Sequence, residues 1–537
     1  MDGTLFWADK IAQEILERKR FHYLDKPVPA MKECTVKTSA SMSGVLHIGR
    51  LSDTIRSESV FRALVDAGAK ACFIWVAEDM DPLRKVPKGV PKEYEQYLGM
   101  PVTDIPDPDG CHRSYAEHHK EAYLKVIEKF VGSPMQKFSM REEYRKGTFR
   151  PYVKSILEKA QAVREIQNRY RSAPVQTGWS PWLPICEECG KIITPRVERM
   201  EGGKVHYKCQ DYKFATTVAK GCGHEGVDDP LKCNGKLVWK SEWACQWAHW
   251  KVASEGAGKE YQVPMSAWWV NGEIVERVLD FPMPVPIFYE HLMIDGKKMS
   301  ASLGNVVYPK DWLEVAPPEL LRLFYNKRLM KTRSFSFKDL PKVYDDYDLH
   351  ARVFAGEEHG NEKEAAHMKR LYAISQRGKP DAPNPLPFDF AVMLSQTTHD
   401  PASIEKMLKD SGHIKGKLAP AQKKAVLGRI ACAAVWVSKH APEQAISLAA
   451  SVTAETKAKL SSEERAALKE LSSMLPKASG QELHDAFWNV AKAHGLKPQQ
   501  LFRAAYLALL GKESGPKLAP FILASGRDKV RKLLESL

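Results

Sequence analysis

Between Cys34 and Val76 the chain spells out a strand, a loop, a helix and a second strand, and this succession constrains the fold more than any other stretch. Cys34 to Thr38 carries the β-branched residues Thr35, Val36 and Thr38 and reads as a short strand. Residues 39–50 are small, Ser- and Gly-containing and loop-like, after which Leu51 to Ala67 has helical apolar spacing that stops at Gly68. Ala71 to Val76 is a continuous apolar run, the pattern of a strand buried on both faces. Two strands joined through a helix are parallel and the crossover is right-handed, so the expected class is α/β. The loop at 39–50 then sits where such folds bind phosphate.

At 537 residues the chain is long enough for two or three domains. Residues 80–240 lack a clean alternation of strands and helices and read as an insertion into the first domain. Val285 to Tyr289 and Leu292 to Ile294 return to strand composition, and Asp295-Gly296 supplies a turn into a basic loop. Beyond about residue 350 strand signals vanish; Ala, Leu and Lys dominate, with breaks near Pro401, Pro420, Pro442 and Gly480, which predicts an all-helical C-terminal domain. The start, with Phe6, Trp7, Ile11, Ile15 and Leu16 at helical spacing, lacks the layout of a secretory signal, and no apolar run is long enough for a membrane span. A cytoplasmic protein without a membrane partner is expected.

A formal net charge of +14 favours a polyanionic partner. Six of the ten cysteines fall between Cys111 and Cys233, which argues for metal or free thiols over disulfides. Two loops carry the remaining chemistry. Ser43-Gly44-Val45-Leu46-His47-Ile48-Gly49-Arg50 occupies the first loop, and Lys297-Lys298-Met299-Ser300-Ala301-Ser302-Leu303-Gly304-Asn305 follows far downstream. A single His in a small-residue loop is commonly a packing residue, and Lys-Lys before small residues is commonly solvated. As an ordered pair they resemble the two signature sequences of class I aminoacyl-tRNA synthetases.

The resemblance continues over most of the chain, and toward the lysyl branch of that class. Glu78-Asp79-Met80-Asp81-Pro82-Leu83-Arg84, Tyr97-Leu98-Gly99 and Pro106-Asp107-Pro108-Asp109-Gly110-Cys111-His112 with Ser114-Tyr115-Ala116-Glu117-His118 resemble class I lysyl-tRNA synthetases in particular. That family joins lysine to tRNA(Lys) at the expense of ATP. The resemblance implies ATP contacts from Ser43, Gly44, His47, Gly49, Lys297, Lys298, Ser300 and Ser302, with His47, Gly49, Lys298 and Ser300 as the catalytic set. The physics suits it: attack of a carboxylate on the α-phosphate needs alignment and neutralisation of charge, with Mg2+ as hard counter-cation. Arg50 stands where many members have a second histidine and Ala301 where many have a second lysine. Lys297 or Arg50 is expected to cover what is missing.

Family positions for lysine fall on Ser39, Ser41, Trp239, Tyr261 and Tyr289, aromatic rings holding the aliphatic stem. Tyr261 and Glu260 depart from the histidine and aspartate frequent in archaeal-type members. Asp107, Cys111, His112 and His118 match a family zinc site; with 112–120 helical, the two imidazoles converge after a modest bend, whereas spacing alone also allows a polar turn around one Cys. Cys186-Glu187-Glu188-Cys189-Gly190 is a zinc-knuckle half, completed by Cys209 and Cys222, with Cys233, His206 or His224 able to replace one ligand. Zn2+ in up to two sites is therefore expected.

Leu321 to Lys338 holds six basic and no acidic residues and is expected to follow tRNA phosphates. Leu507 to Lys517 resembles the end of the helical anticodon-binding domain shared by lysyl and glutamyl enzymes. The reading is thus an N-terminal helical segment (1–30), a Rossmann-type catalytic domain (31–310) with a zinc-binding insertion at about 80–240, a basic connecting segment (311–350) and an all-α anticodon-binding domain (351–537). Departures at Arg50, Glu260, Tyr261 and Ala301 keep two alternatives in view: a synthetase of shifted amino-acid choice and a non-catalytic tRNA-binding paralogue.

Overall fold

Five parallel strands, β1 (Cys34–Ser41), β2 (Ala71–Glu78), β3 (Gln136–Ser139), β4 (Val252–Gly258) and β5 (Val285–Tyr289), form one sheet in the order β5-β4-β1-β2-β3. The computed structural model describes residues 6–42, 46–87, 89–176, 179–299, 305–359, 361–398, 400–476 and 480–537. The chain builds the sheet outward from β1 through β2 to β3, then returns to place β4 and β5 on the other side of β1. That reversal leaves a crevice at the carboxyl ends of β1 and β4, the place where open α/β sheets bind ligands.

Several elements differ from the sequence reading in ways that matter for the site. β1 runs three residues past Thr38, because its ladder with β2 continues through Ser39↔Val76 and Ala40↔Ala77 to Ser41↔Glu78. Ser39 and Ser41 therefore stand on the carboxyl end of a strand instead of in a loop; backbone pairing outweighs the weak strand preference of small side chains. β3, inside the stretch read as an insertion, is the outer strand of the sheet and pairs with β2. It is four residues long and opens on exposed Gln136 and Lys137, so it carries little of the apolar signal by which strands are read.

Helix α1 (Trp7–Glu17) is anchored by the Trp7 indole, which donates to the Asn326 carbonyl at 2.6 Å. Helix α2 (Ile48–Asp66) crosses from β1 to β2. It starts ahead of the expected Leu51, since Ile48 is fully buried and its amide donates to the Val307 carbonyl. Polar residues are buried along this helix as well as apolar ones, and Glu58 is tied to its surroundings on both oxygens. Glu58 accepts from the Gly132 and Ser133 amides at 2.9 and 2.8 Å and forms an ion pair with Arg322 in which both side chains are fully buried. Arg322 also donates to the Phe130 and Ser375 carbonyls at 2.7 Å each. The expectation that Arg322 belongs to a tRNA-facing basic stretch is corrected: the carboxylate of Glu58 draws it into the core, whereas Arg328, Lys331 and Lys338 remain exposed.

Leu292–Ile294 pairs with Lys297–Lys298 across a turn at Asp295 and Gly296, both at positive φ, and in parallel with Arg333–Phe335. Two compact units result: one of residues up to Lys310 with Leu321–Phe335 and Arg370–Lys379, the other of Asp311–Leu320, Ser336–Lys369 and Pro380–Leu537. Among the described residues the second unit is helical, from Leu340–Ala355 to Arg527–Glu535. Its core holds Tyr344 stacked on Phe388 at 4.0 Å and a buried bidentate ion pair, Arg429 to Asp348, at 2.6 and 2.7 Å. Among the described residues no helix is long and apolar enough to cross a membrane.

Candidate active site and metal-ligand clusters

The crevice at the carboxyl ends of β1 and β4 opens into a cavity of about 480 Å³. It collects most of the residues singled out from sequence: Ser39 and Ser41 from β1, His47 and Gly49 from the start of α2, Trp239, Tyr261, Tyr289 and Lys298. Lys297, on the same two-residue strand as Lys298, does not line it. Ser43, Gly44, Ser300 and Ser302 lie outside the described residues.

His47 is the N-cap residue of α2, so its ring sits where the unpaired amides and dipole of a helix start attract phosphate. Burial, helped by the Arg50 charge, lowers its pKa to about 4, and its Nδ1 is buried without a hydrogen-bond partner. The imidazole is thus neutral at physiological pH and holds a polar atom in reserve. Gly49 lets the chain pass close to its neighbours: a Cβ there would stand 2.6 Å from Met299 Cε, the end of a flexible side chain, and 3.0 Å from the His47 ring. Arg50 lines the cavity and donates to the Ser41 carbonyl at 3.0 Å, tying the helix start to the end of β1.

The opposite wall is aromatic. Trp239, Trp243 and Trp247 succeed one another at helical i, i+4 spacing on helix α3 (Trp239–His249), with ring centroids 4.9 and 5.0 Å apart. Tyr261 meets Trp243 edge-on at 5.2 Å. Behind them Glu255 of β4 is saturated: it accepts from Lys37 Nζ at 2.6 Å and from the Trp243 and Trp247 indoles at 2.9 and 2.6 Å. Two cavity acids were not anticipated from sequence, Glu255 and Asp53. His47, Arg50, Asp53 and Ser57 recur at three- and four-residue steps, which puts them on one side of the helix start, but the helix carries polar residues on its other sides as well, so the spacing does not single out Asp53.

Two clusters have metal-ligand character. Sγ atoms of Cys186, Cys189, Cys209 and Cys222 lie within 4.8 Å of one another, with Cys186 to Cys222 and Cys189 to Cys209 both at 3.7 Å. The edge of a tetrahedron with Zn–S of about 2.3 Å is about 3.8 Å, so the four thiols fit that ion. Gly190 and Gly223 take positive φ directly after Cys189 and Cys222, which lets each knuckle fold back on its thiols. The 12 residues between Cys209 and Cys222 form a hairpin, Tyr212–Lys213 with Val218–Ala219, that returns the chain. Cys233, His206 and His224 are not part of this group: Cys233 faces the Leu231 carbonyl, His206 Nδ1 meets Arg199, and His224 pairs with Glu187.

The second cluster is Asp107, Cys111, His112 and His118, again within 4.8 Å. Cys111 Sγ is 3.2 Å from Asp107, 3.0 Å from His112 Nδ1 and 3.3 Å from His118 Nδ1. Convergence does not come from a helix over 112–120: the helix Tyr115–Phe130 starts only after the Ser114 N-cap. Instead Asp107 accepts from the Asp109, Cys111 and His112 amides at 3.1, 3.0 and 2.8 Å and bends the turn around itself. His112 Nε2 meets Glu121 at 2.6 Å, the outer-shell carboxylate that orients a ligating imidazole.

Comparison with known proteins follows this geometry. A family model described as tRNA synthetases class I (K) matches residues 5–378, and one described as an anticodon binding domain matches 438–536. The chain is 30% identical to a lysine–tRNA ligase of Methanosphaera stadtmanae, over 98% of each chain. It is 33% identical to a lysine–tRNA ligase of Thermococcus kodakarensis, over 98% of this chain and 99% of that one. Among solved structures, a glutamate tRNA ligase from Elizabethkingia meningosepticum aligns at 12% identity and a TM-score of 0.41, covering 93% of this chain and 98% of that one.

Proposed function

The chain belongs to the class I (K) tRNA synthetases, and on that premise we propose that it is a lysine–tRNA ligase, forming lysyl-adenylate from L-lysine and ATP and passing lysine to the 3′-terminal ribose of tRNA(Lys). One observation carries the reading: a single cavity joins the phosphate-facing start of α2, with His47 and Gly49, to Lys298 and an aromatic wall.

The residues divide the work by chemistry. The neutral His47 ring donates a hydrogen bond to a phosphate oxygen without adding a fixed charge, while Arg50 and Lys298 supply positive charge where it develops on the departing pyrophosphate. Ser43, Gly44, Ser300 and Ser302 belong to the same two loops and complete the ATP contacts by family resemblance. Of the two groups offered to supply the missing charge, Lys297 and Arg50, Arg50 lines the cavity, which supports it for that role. Trp239, Tyr261 and Tyr289 bound the aliphatic stem of lysine, and Ser39 and Ser41 present polar atoms at the end of β1. Mg2+ accompanies the phosphates as their hard counter-cation. Zn2+ is proposed for both clusters, where four protein ligands leave no open position and the contribution is to folding. The anticodon-binding segment takes the tRNA, and the exposed Arg328 and Lys331 of the basic stretch contact its phosphates.

ATP–pyrophosphate exchange, run with and without tRNA, tests this. Lysine-dependent exchange that is lost in His47→Ala is expected; absence of exchange with lysine under both conditions, from folded zinc-replete protein, overturns it.

A further inference from the structure

Lys236 is buried, with 4% of its surface exposed, and lies behind the cavity instead of lining it. An ammonium leaves water only where carboxylates receive it, and once there it holds its partners as firmly as they hold it. Its Nζ is 3.2 Å from Asp81 Oδ1 and 2.9 Å from Glu242 Oε2. Burial alone would lower the pKa of this amine, but the charges of Glu242 and Asp81 raise it above its ordinary value, so the brace stays charged at physiological pH. Each partner leads to a different part of the cavity. Asp81 Oδ2 accepts from Ser41 Oγ at 3.2 Å, while the Ser41 carbonyl accepts from Arg50 at 3.0 Å. The end of β1 is thereby tied through its side chain to Lys236 and through its backbone to the start of α2. Glu242 belongs to α3, one turn after Trp239. The Tyr144 hydroxyl donates to Glu242 at 2.8 Å and accepts from the Leu237 amide at 3.0 Å, so the step from the strand Gly235–Leu237 into α3 is fixed as well. These ties matter because the backbone leaves helical values at Lys240 (φ −76°, ψ 34°). Helix geometry alone therefore does not set where Trp239 stands.

We propose that Lys236 is a positioning residue for the amino acid, a buried brace that sets the separation of Ser41 from Trp239 by holding Asp81 and Glu242 at once. This rests on the ligase reading and adds to it a residue that touches no substrate. The brace is anchored outside the Rossmann-type sheet: Gly235–Leu237 pairs with Trp182–Pro184, which runs directly into Cys186. A Cβ on Gly235 would stand 2.5 Å from the Leu183 carbonyl oxygen and 2.7 Å from the Trp182 ring, so the strand is pressed against its partner next to Lys236. The inserted segment thus reaches the amino-acid end of the cavity through one side chain.

The test is ATP–pyrophosphate exchange on wild type, Lys236→Met, Asp81→Asn, Ser41→Ala and the double variant of Lys236→Met with Ser41→Ala, over lysine and ornithine. Lys236→Met keeps the length of the side chain and removes its charge. Expected is a lysine KM raised roughly 10- to 30-fold, with kcat within a few-fold and the KM for ATP unchanged. The preference for lysine over ornithine, one methylene shorter, should narrow by about fivefold, because the span that measures the stem is no longer fixed. Lys236→Met should add little in the Ser41→Ala background; effects that multiply in full show that the two residues act independently and overturn the brace. A lowered melting temperature with an unchanged lysine KM makes Lys236 a stability residue only and also overturns it. Where Lys236→Met fails to fold, Asp81→Asn cuts the same path at its other link, and a lysine KM within about twofold of wild type there overturns the proposal. Wild type that activates a different amino acid overturns the ligase reading, and the brace is then judged on the KM for that amino acid in the same variants. Amide exchange needs no activity at all: Lys236→Met should speed exchange both at the end of β1 and in the first turns of α3, and a change at one without the other overturns the brace whatever the substrate.

Discussion

His47 and Asp53 sit two turns apart on one helix and are tuned in opposite directions by the same burial. For His47 the effect is to remove a titration: with its pKa lowered to about 4, kcat/KM should show no inflection assignable to this ring between pH 5 and 8, and His47→Ala should lower exchange by roughly 100- to 1,000-fold. For Asp53 the effect is a linkage. A carboxyl raised from 3.8 to about 6 on folding stabilises the native state while protonated, and that stability is lost as pH rises through 6. Asp53→Asn should therefore melt higher than wild type at pH 8 without ligand, with the gap closing toward pH 5; an equal Tm at pH 8 would contradict the raised pKa. Arg50→Ala is expected to slow exchange by about 100-fold and Lys297→Ala by no more than a few-fold, which single-variant kinetics decides. Legibility at this scale was uneven. His47, Gly49, Trp239, Tyr261, Tyr289 and Lys298 were named from the chain and share one cavity, whereas Asp53 and Glu255 were missed. An acid in a helix or strand carries no local mark of being buried; only the partner surface, here Gly256 and the two indoles, makes it one.

Among elements, the parallel strands around β1 were legible because they are apolar runs joined by a helix, while β3 was not, having exposed residues over half its length. The same contrast separates the metal-ligand turns. The Cys186-to-Cys189 spacing announces a knuckle, and the structure completes it with Cys209 and Cys222. The cluster at Asp107 is invisible to spacing rules, since its turn is organised by three backbone amides donating to one carboxylate. The two should part in experiment as well. Cys186→Ser, or chelation of the four-thiol set, should release one equivalent of zinc and loosen the strands from Trp182 to Leu237, seen as faster amide exchange there, with the Rossmann-type sheet intact. Asp107→Ala removes both a ligand and the acceptor that shapes its turn. It should abolish metal at that cluster more completely than His118→Ala, a ranking that metal analysis of the two variants checks.

At the scale of the whole chain, a net charge of +14 predicts that the KM for tRNA climbs steeply between about 50 and 200 mM salt while the KM for lysine, a single small ion met at short range, changes far less; parallel slopes would argue against phosphate contacts. The first unit is assembled from pieces that are distant in sequence: it draws on residues up to Lys310, then on Leu321–Phe335, then on Arg370–Lys379. The Glu58–Arg322 pair is the chemical form of that arrangement, two fully buried charges with 263 residues between them. Seen from the ribosome, this sets a timetable. The nascent sheet emerges with a carboxylate aimed into its own interior and no counter-charge yet made, so it waits, loosely formed, until more than half of the protein has been translated. A chain cut short before Arg322 therefore lacks both the counter-charge of Glu58 and two of the three segments from which its first unit is assembled.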